Sequence, residues 1–187
     1  MFSRILIKLV DEAIFPAILL LMTRLISMLL VSKSMGIEFE MGRGGILFNT
    51  TADFVAVNSY STLFMILAIS LGLCFIILKS FVFHDSHIKP GLSARLFSLR
   101  VPSLIQNSFE IYSQGTIWLS YIYLLLIVSM IMSLFGMLYS WVLFVVLVIT
   151  VFATTLFIID VEHEVRIGKN KGVVYDNDKK YLEREEE

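Results

Sequence analysis

Residues 15–31 read FPAILLLMTRLISMLLV, an apolar run with a single guanidinium, Arg24, near its middle. A cation at the centre of hydrocarbon costs roughly 2.5–3.5 kcal/mol on insertion scales, so it needs acceptors and is a functional-site candidate by default. Thr23, Ser27 and Ser34 fall within roughly 40° of one another on the same helix, with Arg24 about 60° from Ser27. This polar edge should face other helices rather than lipid. Matching depth from the far end of the next apolar run, which begins at Phe54, brings Thr62 level with Arg24. Arginine reaches outward by about one helical turn, which adds Asn58 and Ser61. The expected intramembrane polar cluster is therefore Arg24, Thr23, Ser27, Asn58, Ser61 and Thr62, with Asp53 entering if the helix is shifted. No embedded acid faces Arg24 in this reading, so a structural or subunit-docking arginine is preferred to one that moves protons.

The remaining reactive side chains are few. His84-Asp85-Ser86-His87 places two imidazoles at i, i+3 around a carboxylate, and Asp160-Val161-Glu162-His163-Glu164 forms a second cluster. His84, His87 and His163 with these carboxylates are the metal candidates, for zinc or iron. Hydrophilic residues also belong at any membrane boundary. No HExxH motif or cysteine ligand supports the metal, so the clusters are read as solvated caps and no cofactor is expected. Gly42-Arg43-Gly44-Gly45 lacks the strand, following Lys-Ser/Thr and helix of a phosphate loop, and reads as turn chemistry. No catalytic triad or dinucleotide fingerprint occurs. Cys74 is the one cysteine, so an intramolecular disulfide is excluded.

The elements that must position these residues follow from composition. Hydrophobic residues make up 57% and charged ones 17%, against about 45–50% and 25% in soluble domains. From Ile111 to Ile159 there is no Asp, Glu, Lys, Arg or His. As one helix that stretch would run about 73 Å, far beyond a hydrocarbon core of about 30 Å, so it must fold back. The reading is an all-α, polytopic four-transmembrane-helix bundle. Its spans cover 13–32, 54–78, 111–134 and 141–159. A turn at 135–140 carries Gly136 and the interfacial aromatics Tyr139 and Trp141. Small residues at Ala68-x3-Gly72, Ser129-x3-Ser133 and Thr150-x3-Thr154 allow close helix approach.

Four flanking segments complete the plan. Residues 1–12 place Arg4, Lys8, Asp11 and Glu12 on one arc of about 100°, which suits an amphipathic interfacial helix or the first turns of the span, with Pro16 available to kink the junction. Residues 33–53 alternate Ile37, Phe39 and Met41 with Glu38 and Glu40, turn at the glycines and continue into Ile46-Leu47-Phe48, an expected β-hairpin. Asn49-Thr50-Thr51 matches a glycosylation acceptor. Residues 79–110 form a basic loop in which Lys79, Lys89, Arg95 and Arg100 are mixed with leucines, an amphipathic surface for anionic lipid headgroups or for a partner. Ser103, after Pro102, is a candidate cap for the helix leading into the third span. Residues 160–187 form a charged tail, with a small hairpin expected from Val165–Ile167 and Val173–Tyr175 around GKNKG and disorder at the end.

Lys33 and Arg43 lie between the first two spans, while every lysine and arginine outside the spans and that loop lies on the other side. The positive-inside rule then puts both termini in the cytoplasm. The N-terminus lacks a cleavage site, so the first span is read as a retained anchor in a membrane of the bacterial inner-membrane type. Three function classes follow. The first is a non-enzymatic subunit or scaffold of a larger membrane assembly, with the lipid bilayer and other membrane subunits, or copies of itself, as partners and no nucleic acid. The second is a small oligomeric channel or transporter with Arg24 near its pathway. The third is a membrane-edge metalloenzyme built on His84, His87 and His163. The first is preferred.

Overall fold

The computed structural model describes residues 2–42, 45–83, 91, 95, 96, 98, 99 and 108–185. Its elements run α1 (Phe2–Met35), β1 (Phe39–Gly42), β2 (Gly45–Phe48), α2 (Thr51–Phe83), α3 (Ser108–Leu134) and α4 (Ser140–Glu185). The protein is a four-helix membrane bundle, and all four helices contain a stretch long and apolar enough to cross a bilayer. The β-hairpin and the α3–α4 turn share one end, called here the hairpin end, and the chain termini share the other, the terminal end.

Each boundary has a local cause. Gly36 and Gly136 adopt φ of 65° and 67°, a left-handed conformation that costs a glycine nothing. Each ends its helix in the same way. Ile37 N donates to Ser32 O at 2.9 Å and Met137 N to Met132 O at 2.9 Å, capping carbonyls that would otherwise be orphaned in a nonpolar setting. At the start of α2, Asp53 N donates to Thr50 Oγ1 at 3.1 Å and the Thr50 hydroxyl donates to Asp53 Oδ2 at 2.7 Å. This reciprocal cap starts α2 at Thr51, ahead of Phe54 where the uncharged run begins, and it occupies the Asp53 carboxylate.

α2 is the central helix and packs against the other three. The core is built from Ile66, Ile69 and Leu73 of α2, Ile111 and Ile122 of α3, and Val142 and Val146 of α4. Polar side chains also lie inside: Ser27, Asn58, Ser59, Ser61, Thr62, Ser129, Thr150 and Asp160 are buried. Leu21, Leu71, Phe75, Phe144 and Phe152 face outward. In hydrocarbon, contact faces are made by small and hydrogen-bonding residues while bulky apolar ones meet lipid. Two glycines set the closest approaches. A Cβ on Gly72 would enter the Trp118 ring, and one on Gly115 would enter the Phe157 ring. Cys74 is exposed on the outer surface rather than packed inside.

Two expectations are corrected. Residues 2–12 are not a separate surface helix: α1 is one helix of 34 residues that runs through Pro16. The tail hairpin is replaced by a continuous α4 of 46 residues that passes through Gly168 and Gly172. Each glycine weakens a helix by about 1 kcal/mol relative to alanine, but an isolated two-stranded hairpin buries too little to compete. The Glu162–Arg166 pair at i, i+4, 3.8 Å apart, lies along the same helix. The hairpin between α1 and α2 does form, with Phe39 opposite Phe48 and Gly42 opposite Gly45. It is held at both ends by helices, and the Phe39–Phe48 and Phe48–Phe54 ring pairs, at 6.4 and 6.1 Å, tie it to α2.

Candidate functional site

The polar side chains of the membrane interior converge on Asn58. This residue is 1% exposed and sits on the face of α2 that meets α1 on one side and the α3–α4 turn on the other. Arg24 Nη2 donates to Asn58 Oδ1, and Arg24 Nη1 to the Asn58 backbone carbonyl at 3.5 Å. On its other side the amide Nδ2 of Asn58 donates to Met137 O at 2.7 Å and lies 3.4 Å from Met132 Sδ. One carboxamide thus joins α1, α3 and the α3–α4 turn to α2. Next to it, Ser59 Oγ accepts from Tyr139 N at 2.9 Å, a second tie to the turn.

A second row lies one turn deeper. The Ser27 and Ser61 hydroxyls meet at 2.7 Å, and each also approaches Arg24 O, at 3.1 and 3.4 Å. Thr62 Oγ1 donates to Asn58 O at 2.8 Å within its own helix and does not reach Arg24. Thr23 is half-buried and takes no part in these bonds. Ser34 instead lines a groove of about 460 Å³ with Leu30, Val31, Met35, Tyr60 and Phe64. Of the expected cluster, the structure brings Arg24, Ser27, Asn58 and Ser61 together, and leaves Thr23 and the Thr62 hydroxyl aside. Asp53 is held by Thr50.

Bonding places the guanidinium at a shallower level than its Cα. Arg24 touches Asn58, and Asn58 touches the turn that ends α3. The charge therefore lies within one amide side chain of the hairpin-end edge, where Tyr60 and Trp141 pair at a ring distance of 6.0 Å. Among the described residues no carboxylate comes within ion-pair distance of it. Among the described residues its hydrogen bonds go to the side-chain and backbone oxygens of Asn58.

The other candidates do not assemble here. Lys79 is half-buried at the end of α2 and Arg95 is exposed. Ser98 Oγ donates to Arg95 O at 2.8 Å. Lys89, Arg100 and Ser103 lie outside the described residues, as do His84 and His87. His163 is exposed, its ring 6.3 Å from that of Phe81. Among the described residues no three metal-ligating side chains converge.

Two acids lie deeper than the sequence placed them. Asp160, assigned to the tail, is 2% exposed. It closes the buried stripe Val142, Val146, Thr150, Ala153, Phe157 of α4, and that spacing was present in the sequence. Glu12, assigned to a surface arc, is half-buried and accepts a hydrogen bond from Ser113 Oγ at 3.1 Å. One residue on, Tyr121 donates to Ala13 O at 3.0 Å, so α1 is tied to α3 at the terminal end as it is to α2 at the hairpin end.

Chemically, the Asn58 cluster contains no nucleophile beside a base and no acid to exchange protons with Arg24. What it can do is hold helices in register. Comparison with protein-family models, with curated proteins and with solved structures found no match to this chain.

Proposed function

We propose that this chain is a non-enzymatic integral membrane protein that serves as a subunit or scaffold of a larger membrane assembly. The observation that carries the reading is the use of Arg24. Its donors go to Asn58 within the same chain, and Asn58 in turn holds the α3–α4 turn. The strongest polar group in the membrane interior is thus committed to joining helices, the role of a rigid support. A pathway residue would instead leave donors facing a cavity.

Partners fit this role for a reason of shape. α4 continues from His163 to Glu185 past its apolar stretch, offering a helical extension outside the bilayer. The side carrying both termini is assigned to the cytoplasm because the lysines and arginines outside the spans gather there, apart from Lys33 and Arg43. The membrane is of the bacterial inner-membrane type, with anionic headgroups facing Lys79, Lys89, Arg95 and Arg100.

Gentle extraction followed by native mass measurement tests the proposal. The expected result is a particle well above the 21.3 kDa of one chain that contains unlike subunits. A lone monomer would refute it. A particle made of this chain alone that conducts solute when reconstituted would replace it with the channel reading.

A further inference from the structure

On the terminal half of the bundle, α1, α2 and α3 leave a trough between them. It measures about 540 Å³, with Phe15, Leu71 and Phe75 on its walls, Trp118 beneath, and Glu12 and Gln114 at its terminal end. The wall residues are open to the surroundings: Phe15, Leu71 and Phe75 are 64%, 69% and 68% exposed, while Trp118 is 8% exposed. Trp118 sits deep because Gly72 has no Cβ to obstruct its ring, and Phe15 holds it from the other side with ring centroids 6.0 Å apart.

The polar end has a specific chemistry. Glu12 Oε2 accepts from Ser113, but Glu12 Oε1 is buried with no hydrogen-bond partner. Among the described residues no cation pairs with this carboxylate. A half-buried carboxylate with an unmatched oxygen favours a positively charged donor beside it. Asp11 and Glu12 border the uncharged start of the first span and Glu110 that of the third, so Glu12 and Gln114 lie at headgroup depth and the trough runs from them into hydrocarbon.

We propose that this trough is a phospholipid site. One acyl chain lies along Phe15, Leu71, Phe75 and Trp118, and a headgroup bearing a primary ammonium rests against Glu12 and Gln114. The volume falls in the range of about 300–1,000 Å³ usual for small-ligand sites. An unmatched carboxylate oxygen at headgroup depth calls for a headgroup cation rather than the apolar face of a second helix. The site stands apart from the subunit reading, since it requires no protein partner.

Native mass spectrometry of the purified full chain in detergent tests it, with dioleoyl phosphatidylethanolamine and dioleoyl phosphatidylglycerol supplied in equal amounts. The ammonium lipid should be retained about tenfold over the glycerol lipid, the ratio supplied by one charge-assisted hydrogen bond. Glu12→Gln keeps the Ser113 bond but loses the charge, and should bring that ratio close to one while lipid still binds. Ala68→Phe fills the trough from α2 and should remove both lipids. Equal retention of the two lipids by the native chain would overturn the proposal, as would a ratio unchanged by Glu12→Gln. Lipid retained by a folded Ala68→Phe protein, or a dimer that excludes lipid, would also overturn it. If Ala68→Phe does not fold, the Glu12→Gln ratio decides alone.

Discussion

Asn58 matters more to this bundle than Arg24, although Arg24 is the more conspicuous letter. Removing the guanidinium loses one interhelical contact, and such contacts average about 0.6 kcal/mol in membranes. It also removes a charge whose insertion costs roughly 2.5–3.5 kcal/mol. That insertion cost is borne alike by the packed bundle and by its separated helices in the membrane, so Arg24→Leu should shift stability by no more than about 1 kcal/mol. Asn58→Ala strands the guanidinium and the Met137 carbonyl together, and should destabilise by about 2–3 kcal/mol. The two are coupled, so adding Arg24→Leu to Asn58→Ala should raise the apparent melting temperature in detergent rather than lower it. Strict additivity would show that the pair does not act as a clamp. This site was partly legible beforehand. The rise per residue of a helix is constant, so counting depth from the span ends brought Thr62 level with Arg24, and one turn of outward reach added Asn58 and Ser61. The link to Met137 was not legible, because it depends on how far the α3–α4 turn dips beside α2.

At the scale of elements, contacts between helices rest on absent atoms. Gly115→Ala would drive a Cβ into the Phe157 ring, and overpacking of this kind costs about 1–3 kcal/mol. Phe157→Leu should recover part of the loss in the Gly115→Ala background and lower stability on its own, a sign reversal that thermal melting can read. Gly136 presents a different case. Open space surrounds it, so Gly136→Ala meets only the strain of φ at 67°, about 1–2 kcal/mol. Asparagine, which tolerates that conformation, should lose less, and equal melting of the two variants would contradict the cap. Gly136 was identifiable as a turn from its place in a long neutral run. Gly115 was not, since nothing in its neighbourhood marks the helix that will cross it. The tail shows the reverse error: short apolar clusters around GKNKG suggested strands, while a helix already under way at Thr150 and Asp160 simply continues.

For the whole molecule, the four-helix plan with both termini at one end makes a sharp claim about exposure. In a Cys74→Ser background, Asn49→Cys at the hairpin end should react with a membrane-impermeant maleimide on intact cells. Arg95→Cys at the opposite end should react only after permeabilisation. Labelling of both from outside would break the proposed orientation. The chain's letters alone settled the class and the four apolar helices. Hydrocarbon of fixed thickness accepts only long runs whose backbone groups bond internally, and charges, caps and glycines mark where those runs stop. Rotation of each helix about its axis was left to the tertiary structure. In water, an apolar stripe reveals the buried face; in lipid both faces are apolar, so the stripe fades. The seat of Trp118 on Gly72 and the half-burial of Glu12 were decided only when four nearly uniform cylinders packed against one another.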